Sequence, residues 1–166
     1  INPGGFLPTR QWNKEKFIEI GRKLVQRYQA RLIITGGNRE KILVSKIAES
    51  LKDSSPITVT EFSLGELAVL FKRINLLITN DTGPMHLASA SGCPVVAIFG
   101  PGNPYRYGPI GVKNYVVHAE IDCFPCRVES KCKIDFECLK RVTVEQVLKA
   151  AMLILDEKQQ PYLFEI

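Results

Sequence analysis

The residues best suited to chemistry lie in the stretch 78–101, ITNDTGPMHLASASGCPVVAIFGP. An apolar run stops there at the polar tetrad Asn80–Gly83, and Pro84 follows, a residue that suits the first turn of a helix. This order predicts a strand, a tight turn and a helix that begins at once. The first backbone N–H groups of a helix have no partner within it, and the helix dipole is positive at that end. The stretch therefore predicts a site for an anion, and for a phosphate group in particular.

A second set of reactive side chains lies near the other end of the chain, in a loop predicted over residues 122–139. Four cysteines follow the spacing C-x2-C-x5-C-x5-C: Cys123, Cys126, Cys132 and Cys138. Four thiolates at such spacing could enclose a tetrahedral Zn²⁺, and the alternative is that they stay reduced or form disulfides in part. The fifth cysteine, Cys93, follows a Gly and precedes a Pro, and we expect it to be a small buried residue.

Helices and strands alternate through the rest of the chain. The predicted strands are residues 30–37, 57–62, 75–79, 94–100 and 115–119. Helices are expected at 13–28, from Asn38 to about 50, from 63 to about 72, after the DTG turn, and from 143 to about 157. Their starts carry capping signals, namely Asn13, Asn38, the pair Ser63 and Glu66, and the pair Thr143 and Gln146.

The apolar strands are continuous rather than alternating, which is typical of parallel sheets covered on both faces. We therefore predict an α/β fold with a Rossmann-like, doubly wound parallel sheet. Ligands of such folds bind outside the carboxyl ends of the strands. Two glycine-containing strand ends, residues 35–37 and 79–83, would lie at that edge.

The composition excludes several classes of protein. The 166 residues suit one domain, and no apolar run reaches the ~18 residues of a membrane helix. The start INPGG has no initiator Met and no signal pattern, so we interpret it as internal to a longer protein. The net charge of +5 favours an anionic partner, but the basic residues are dispersed along predicted helices, which disfavours a nucleic-acid-binding stripe.

The segment TNDTGPMHLASASGCPVVAIFGP, together with NPGG and RQW near the start, resembles the heptosyltransferase family, glycosyltransferase family 9. The likeness covers nearly the whole chain. It implies the C-terminal, nucleotide-sugar-binding half of a two-domain GT-B fold. It also implies an inverting transfer of heptose from ADP-heptose onto the growing lipopolysaccharide core, at the cytoplasmic face of the inner membrane.

The resemblance assigns a diphosphate site to Asp81, Thr82, Gly83 and His86. Thr82 and Gly83 would offer backbone N–H groups, whereas Asp81 would cap the helix or orient backbone, since a carboxylate repels a diphosphate. A turn glycine is the alternative for Gly83, and a core histidine is the alternative for His86. Arg10, two residues before Trp12, matches a basic phosphate-binding position, with an ordinary surface arginine as its alternative.

The nucleoside end of the donor is assigned in the same way. Glu40 matches an acidic residue that holds the ribose hydroxyls, or it is simply a first-turn helix acid. Phe62 matches a residue that packs on the base, or it is an ordinary core residue. Gly4 and Gly5 lie where the family has a Gly with small hydroxyl residues, so a side-chain donor is missing here and any phosphate contact in that loop falls to backbone N–H groups.

The resemblance also implies what this chain lacks. We expect residues 1–166 to form a single donor-binding domain, while the family's catalytic base, an Asp, belongs to an N-terminal acceptor domain outside this chain. The chain would then bind donor and transfer nothing by itself. The scheme requires no metal and no other cofactor, and no nucleic acid. Two alternatives stay open: a zinc-ribbon-like nucleic-acid-binding module and a GT-B-like sugar-nucleotide epimerase domain.

Overall fold

The computed structural model of the chain describes residues 1–111, 113–126 and 132–157. Within these residues the strands are β1 (Ile33–Thr35), β2 (Ile57–Val59), β3 (Leu77–Asn80), β4 (Val95–Ile98) and β5 (Asn114–Val117). The α-helices are α1 (Lys14–Tyr28), α2 (Lys41–Ser50), α3 (Leu64–Phe71), α4 (Gly83–Ala90), α5 (Pro104–Tyr107), α6 (Glu137–Lys140) and α7 (Val144–Leu155). Three short 3-10 helices cover Pro8–Arg10, Asn38–Glu40 and Lys52–Ser54.

The described strands pair in parallel and form one group of two strands and one group of three. Residues 1 and 2 lie between the two groups and hydrogen-bond to both. Strand β1 pairs with β2, and β4 lies between β3 and β5. The Ile1 carbonyl accepts from the Thr35 N–H at 2.8 Å, and the Asn2 N–H donates to the Ile78 carbonyl at 2.9 Å. The order across the molecule is therefore β2, β1, residues 1–2, β3, β4 and β5. The strands predicted from the sequence do not include residues 1–2.

Both faces of the central strands are buried, which confirms the doubly wound α/β fold. Alternate residues of β3 and β4 enter two separate apolar clusters. On one face Ile78 and Ile98 join Phe17 and Ile20 of α1 and Val147 of α7. On the other face the buried members of the cluster are Phe71, Leu77, Met85, Ala88, Cys93, Val95, Ala97 and Phe99. Cys93 is thus a buried core residue, as predicted.

Local capping signals predicted most helix starts correctly. The Asn13 side chain accepts from the Glu15 N–H, and capping boxes form at Ser63 and at Thr143. The predicted cap at Asn38 is wrong, because Asn38–Glu40 forms a 3-10 turn and α2 begins only at Lys41. The carboxylate of Glu40 accepts from the Gly37 N–H and tightens this turn.

The strands are shorter than the sequence predicted. Strand β2 ends at Val59 rather than at residue 62, because the ladder with β1 closes where the Gly36 N–H donates to the Val59 carbonyl at 3.0 Å. The segment that follows is irregular, and Phe62 lies in it. Among the described residues, no helix is long and apolar enough to cross a membrane.

Candidate phosphate-binding site at the carboxyl edge of the sheet

The turn after β3 opens the N-terminus of α4 to the outside of the molecule. Thr82 is the N-cap residue in extended conformation, Gly83 is the first helical residue, and Pro84 lies in the first turn, as predicted. A Cβ atom built on Gly83 would meet no atom within 4 Å. The space above the first turn of α4 is therefore open, and the fold itself does not require a glycine there.

Arg10 and Asp81 form an ion pair beside this helix. The Arg10 Nη1 donates to Asp81 Oδ2 at 2.8 Å, and the side chains are 28% and 7% exposed, respectively. The prediction that Asp81 caps the helix is wrong about the position, since Thr82 is the N-cap. Asp81 instead orients the partly exposed guanidinium. A Cβ on Gly102, after β4, would lie 2.3 Å from Asp81 Oδ2, so a glycine there leaves room for the carboxylate.

Asn80 connects the segments that surround the site, a role that the sequence did not reveal. Its buried side chain accepts from the Trp12 N–H at 2.9 Å and donates to the Pro3 carbonyl at 2.8 Å and the Gly4 carbonyl at 2.9 Å. The only signal in the sequence was an asparagine at the end of an apolar run. Its partners lie too far along the chain to be inferred.

Glu40 binds backbone rather than standing free at the start of a helix. Its Oε1 accepts from the Gly5 N–H at 2.9 Å and its Oε2 from the Gly37 N–H at 2.5 Å. The expectation that the Gly5 N–H serves a phosphate is therefore wrong, because Glu40 occupies it. The Gly5 carbonyl accepts from the Gln11 side chain at 2.7 Å, which also ties this loop to the protein.

His86 and Phe62 are both exposed, so the core alternatives for both residues are wrong. His86 lies one turn into α4 with its side chain in solvent, and Phe62 is 49% exposed on the loop between β2 and α3. Phe62 follows β2 and Thr82 follows β3, which are separated across the sheet by three strand spacings, about 14 Å. The structure brings Arg10, Asp81 and Thr82 together near the middle of this edge, after β3, and leaves Phe62 at its outer end, after β2.

Two open grooves lie elsewhere on the molecule. They flank α2, have volumes of about 610 and 700 Å³, and share the residues Ser45 and Glu49 in their walls. Both acidic and basic side chains line each groove, and neither groove is lined by residues of the β3–α4 turn. The residues that the sequence predicts for donor binding therefore do not line these grooves.

The cysteines of the second candidate site lie close enough to interact electrostatically. Burial raises the pKa of the Cys138 thiol to about 11, and the thiols of Cys123, Cys132 and Cys126 add to this effect. All five cysteines fall within the described residues, and none of them is in a disulfide. Within those same residues, no group of three or more His, Cys, Asp or Glu side chains is arranged to hold a metal ion.

Known proteins resemble this chain in both sequence and fold. The sequence model of glycosyltransferase family 9 (heptosyltransferase) matches residues 1–135. Lipooligosaccharide heptosyltransferase 2 of Campylobacter jejuni is 29% identical over 161 residues, which cover 93% of this chain and 50% of that protein. The chain thus spans about half the length of the curated relatives that it matches.

Two solved structures superpose on most of the chain. A glycosyl transferase family 9 protein from Veillonella parvula is 32% identical with a TM-score of 0.78, covering 93% of this chain and 44% of that one. The Escherichia coli ADP-heptose lipopolysaccharide heptosyltransferase II is 21% identical with a TM-score of 0.80, covering 96% of this chain and 46% of that one. These superpositions agree with the parallel α/β architecture described above.

Proposed function

The chain belongs to glycosyltransferase family 9, the heptosyltransferases, and from this membership we propose that it is the donor-binding domain of an inverting glycosyltransferase. The proposed donor is ADP-heptose, and the proposed acceptor is the lipopolysaccharide core. The observation that carries the proposal is the open first turn of α4, with nothing within 4 Å of a Cβ on Gly83 and with the guanidinium of Arg10 held beside it by Asp81.

The diphosphate would bind at this turn. The backbone N–H groups of Thr82 and Gly83 and the positive end of the helix dipole favour phosphate oxygens. Arg10 supplies a planar cation that suits the same oxygens. His86, exposed on the same helix, is a further donor, while Asp81 contributes by orienting Arg10 rather than by contact with phosphate.

The nucleoside would extend along the edge of the sheet toward β2. Glu40 follows β1 and would accept hydrogen bonds from the ribose hydroxyls, since an ionised carboxylate offers about four acceptor positions and two of them bind backbone here. Phe62 follows β2, and its exposed ring offers a surface on which the base could stack.

In the proposed reaction this chain stabilises the leaving group. The acceptor hydroxyl attacks the anomeric carbon while the bond to the ADP oxygen breaks, and negative charge accumulates on the departing diphosphate. The α4 N-terminus and Arg10 stabilise that charge, so protein groups take the role that a divalent cation has in other transferases. We assign no catalytic residue to this chain. The general base and the acceptor site are proposed to lie in an N-terminal domain, in keeping with the length of the relatives.

The proposed location is the cytoplasmic face of the membrane, where the acceptor lipid is available. A nucleic-acid-binding zinc ribbon and an epimerase domain receive no support from the comparisons, which name heptosyltransferases. The test is an assay of heptose transfer from ADP-heptose to a core lipid, followed by mass spectrometry, with the protein that carries this chain. We expect the wild type to transfer heptose and the Gly83→Val variant to lose this activity. Transfer of another sugar only, or the release of free heptose only, would contradict the proposal.

A further inference from the structure

The carboxylate of Glu40 joins two loops at the edge of the sheet. One oxygen accepts from the Gly5 N–H, in the loop that follows residues 1–2, and the other accepts from the Gly37 N–H, in the turn that follows β1. Both bonds are charge-assisted, and such bonds are stronger than those between neutral groups. Glu40 therefore fixes the distance between these two loops.

Neighbouring glycines leave room for this carboxylate. A Cβ on Gly4 would lie 2.1 Å from Glu40 Oε1, which is far inside van der Waals contact. A Cβ on Gly36 would lie 2.8 Å from Val44 Cγ2 and 3.1 Å from Glu40 Cβ. Any larger residue at Gly4 would have to displace the carboxylate from its two amide partners.

The loop that Glu40 holds packs against the N-cap of α4. A Cβ on Gly5 would lie 3.2 Å from Thr82 Cγ2, so the Gly5 backbone is in close contact with the proposed phosphate site. The carbonyl groups of the same loop accept from protein side chains, those of Pro3 and Gly4 from Asn80 and that of Gly5 from Gln11. These bonds offset part of the negative charge on the carbonyl oxygens, which lowers their repulsion of an anion.

We propose that Glu40 is a positioning residue for the diphosphate end of the site, and that it acts through the Gly4–Gly5 loop on the first turn of α4. The inference rests on the proposed function. A ribose contact alone would make Glu40 important only for binding the nucleoside. The positioning role adds an effect of Glu40 on the binding of the diphosphate. Without the carboxylate, the Gly5 N–H loses its acceptor, and the position of the loop beside Thr82 then depends on the bonds that Asn80 and Gln11 donate to its carbonyl groups.

The Glu40→Gln variant distinguishes positioning from simple electrostatics by the sign of its effect. Glutamine keeps one acceptor oxygen but places an NH₂ group opposite an N–H donor. Loss of a negative charge near an anion would by itself strengthen phosphate binding. We expect the opposite, a loss of about fivefold in affinity for inorganic pyrophosphate, the factor for one hydrogen bond. Pyrophosphate has no ribose, so the loss cannot come from a ribose contact.

The Gly4→Ala variant provides a matched test that keeps the charge. Its methyl group displaces the carboxylate, so it should weaken pyrophosphate binding in the same direction as Glu40→Gln. Gly65→Ala is the control, because a Cβ on Gly65 meets only the Ser63 hydroxyl, at 4.0 Å, and the start of α3 follows β2 rather than the β3–α4 turn, where the diphosphate is proposed to bind. It should leave the affinity unchanged.

The measurement is an NMR titration of the 166-residue chain and its variants with pyrophosphate and, separately, with adenosine; ADP is titrated into the wild type as well. Amide hydrogen exchange at Gly5, faster in Glu40→Gln at unchanged thermal stability, would show that the loop has been released. If the wild type binds both ligands and Glu40→Gln weakens adenosine alone, the positioning role is wrong and the proposed function stands. If the wild type binds neither pyrophosphate nor ADP, the proposed function fails and the positioning role fails with it.

Discussion

The ion pair with Asp81 fixes the position of the Arg10 guanidinium beside the start of α4. In the proposed site, this position would set how strongly Arg10 attracts a phosphate. A surface pair would contribute little to stability, but this carboxylate is 7% exposed and holds the guanidinium in one place. Pre-orientation of that kind lowers the entropy that a ligand must overcome on binding. Asp81 would thus assist phosphate binding although its own charge opposes it.

Arg10→Ala should weaken ADP binding by about 1.5–3 kcal/mol, the range for a hydrogen bond to a charged group. The loss should shrink as salt rises, and adenosine binding should change much less because adenosine carries no charge at this position. Calorimetric titration of both ligands measures the difference. Arg39→Ala, which removes an exposed cation near the same edge, is the control for net charge. Equal losses for ADP and adenosine would mean that Arg10 supports the fold or the base pocket.

Gly83→Val should abolish the binding of nucleoside diphosphates and leave the fold intact. The open space above Gly83 accommodates the branched side chain, which would then occupy the volume that the phosphate needs. Gly65→Val is a matched control, since Gly65 also lies in the first turn of a helix and has open space around it. Binding is measured by calorimetry and folding by thermal unfolding. If the Gly83→Val protein is folded and binds ADP with undiminished affinity, the phosphate does not bind at this turn.

The residue types of the site were predictable, but their partners were not. The order Asn-Asp-Thr-Gly-Pro after an apolar run is a local pattern, and it located the start of α4 correctly. The partners of Asp81 and Asn80 are 71 and 68 residues away, at Arg10 and Trp12. No periodicity or spacing encodes such pairs, so of the two roles predicted for Asp81 the cap is wrong, and the role of Asn80 was not predicted.

At the scale of elements, helix starts were predictable because they depend on residues close in sequence. Strand ends were not, because they depend on residues far apart in sequence. Capping boxes are made by residues three apart, and those at Ser63 and Thr143 formed as predicted. Strand ends depend on neighbouring strands, and β2 stops early because its partner β1 ends at Thr35. The joining role of residues 1–2 was overlooked for the same reason, because the bonds run to β1 and β3.

Asn80 is the residue through which β3 organises the loops around the site. Asn80→Ala would leave the Trp12 N–H and the carbonyls of Pro3 and Gly4 without their partner, and we expect about 3 kcal/mol of lost stability. Chemical denaturation measures the change. Asn38→Ala, at an exposed position, should stay within about 0.5 kcal/mol of the wild type. A similarly small effect at Asn80 would show that these loops are held by other contacts.

At the scale of the whole molecule, the chain covers about half the length of its relatives. The proposal therefore assigns donor binding to this chain and acceptor binding to the other half of the protein. We predict that the purified 166-residue chain binds donor nucleotide but transfers no sugar, because the general base and the acceptor site are proposed to lie in an N-terminal domain outside this chain. A transfer assay with ADP-heptose and core lipid, run beside the intact family enzyme as positive control, measures this. Turnover by the chain alone, with contaminating enzyme excluded, would show that the catalytic base lies within these residues.

The central claim is that the carboxyl edge of this sheet binds the diphosphate of a nucleotide sugar. The most direct measurement is a calorimetric titration of the chain with ADP, UDP, GDP and CDP at fixed ionic strength. We expect one binding site, the highest affinity for ADP, and loss of that binding in Gly83→Val. Absence of binding for all four nucleotides, or ADP binding that Gly83→Val leaves unchanged, would contradict it.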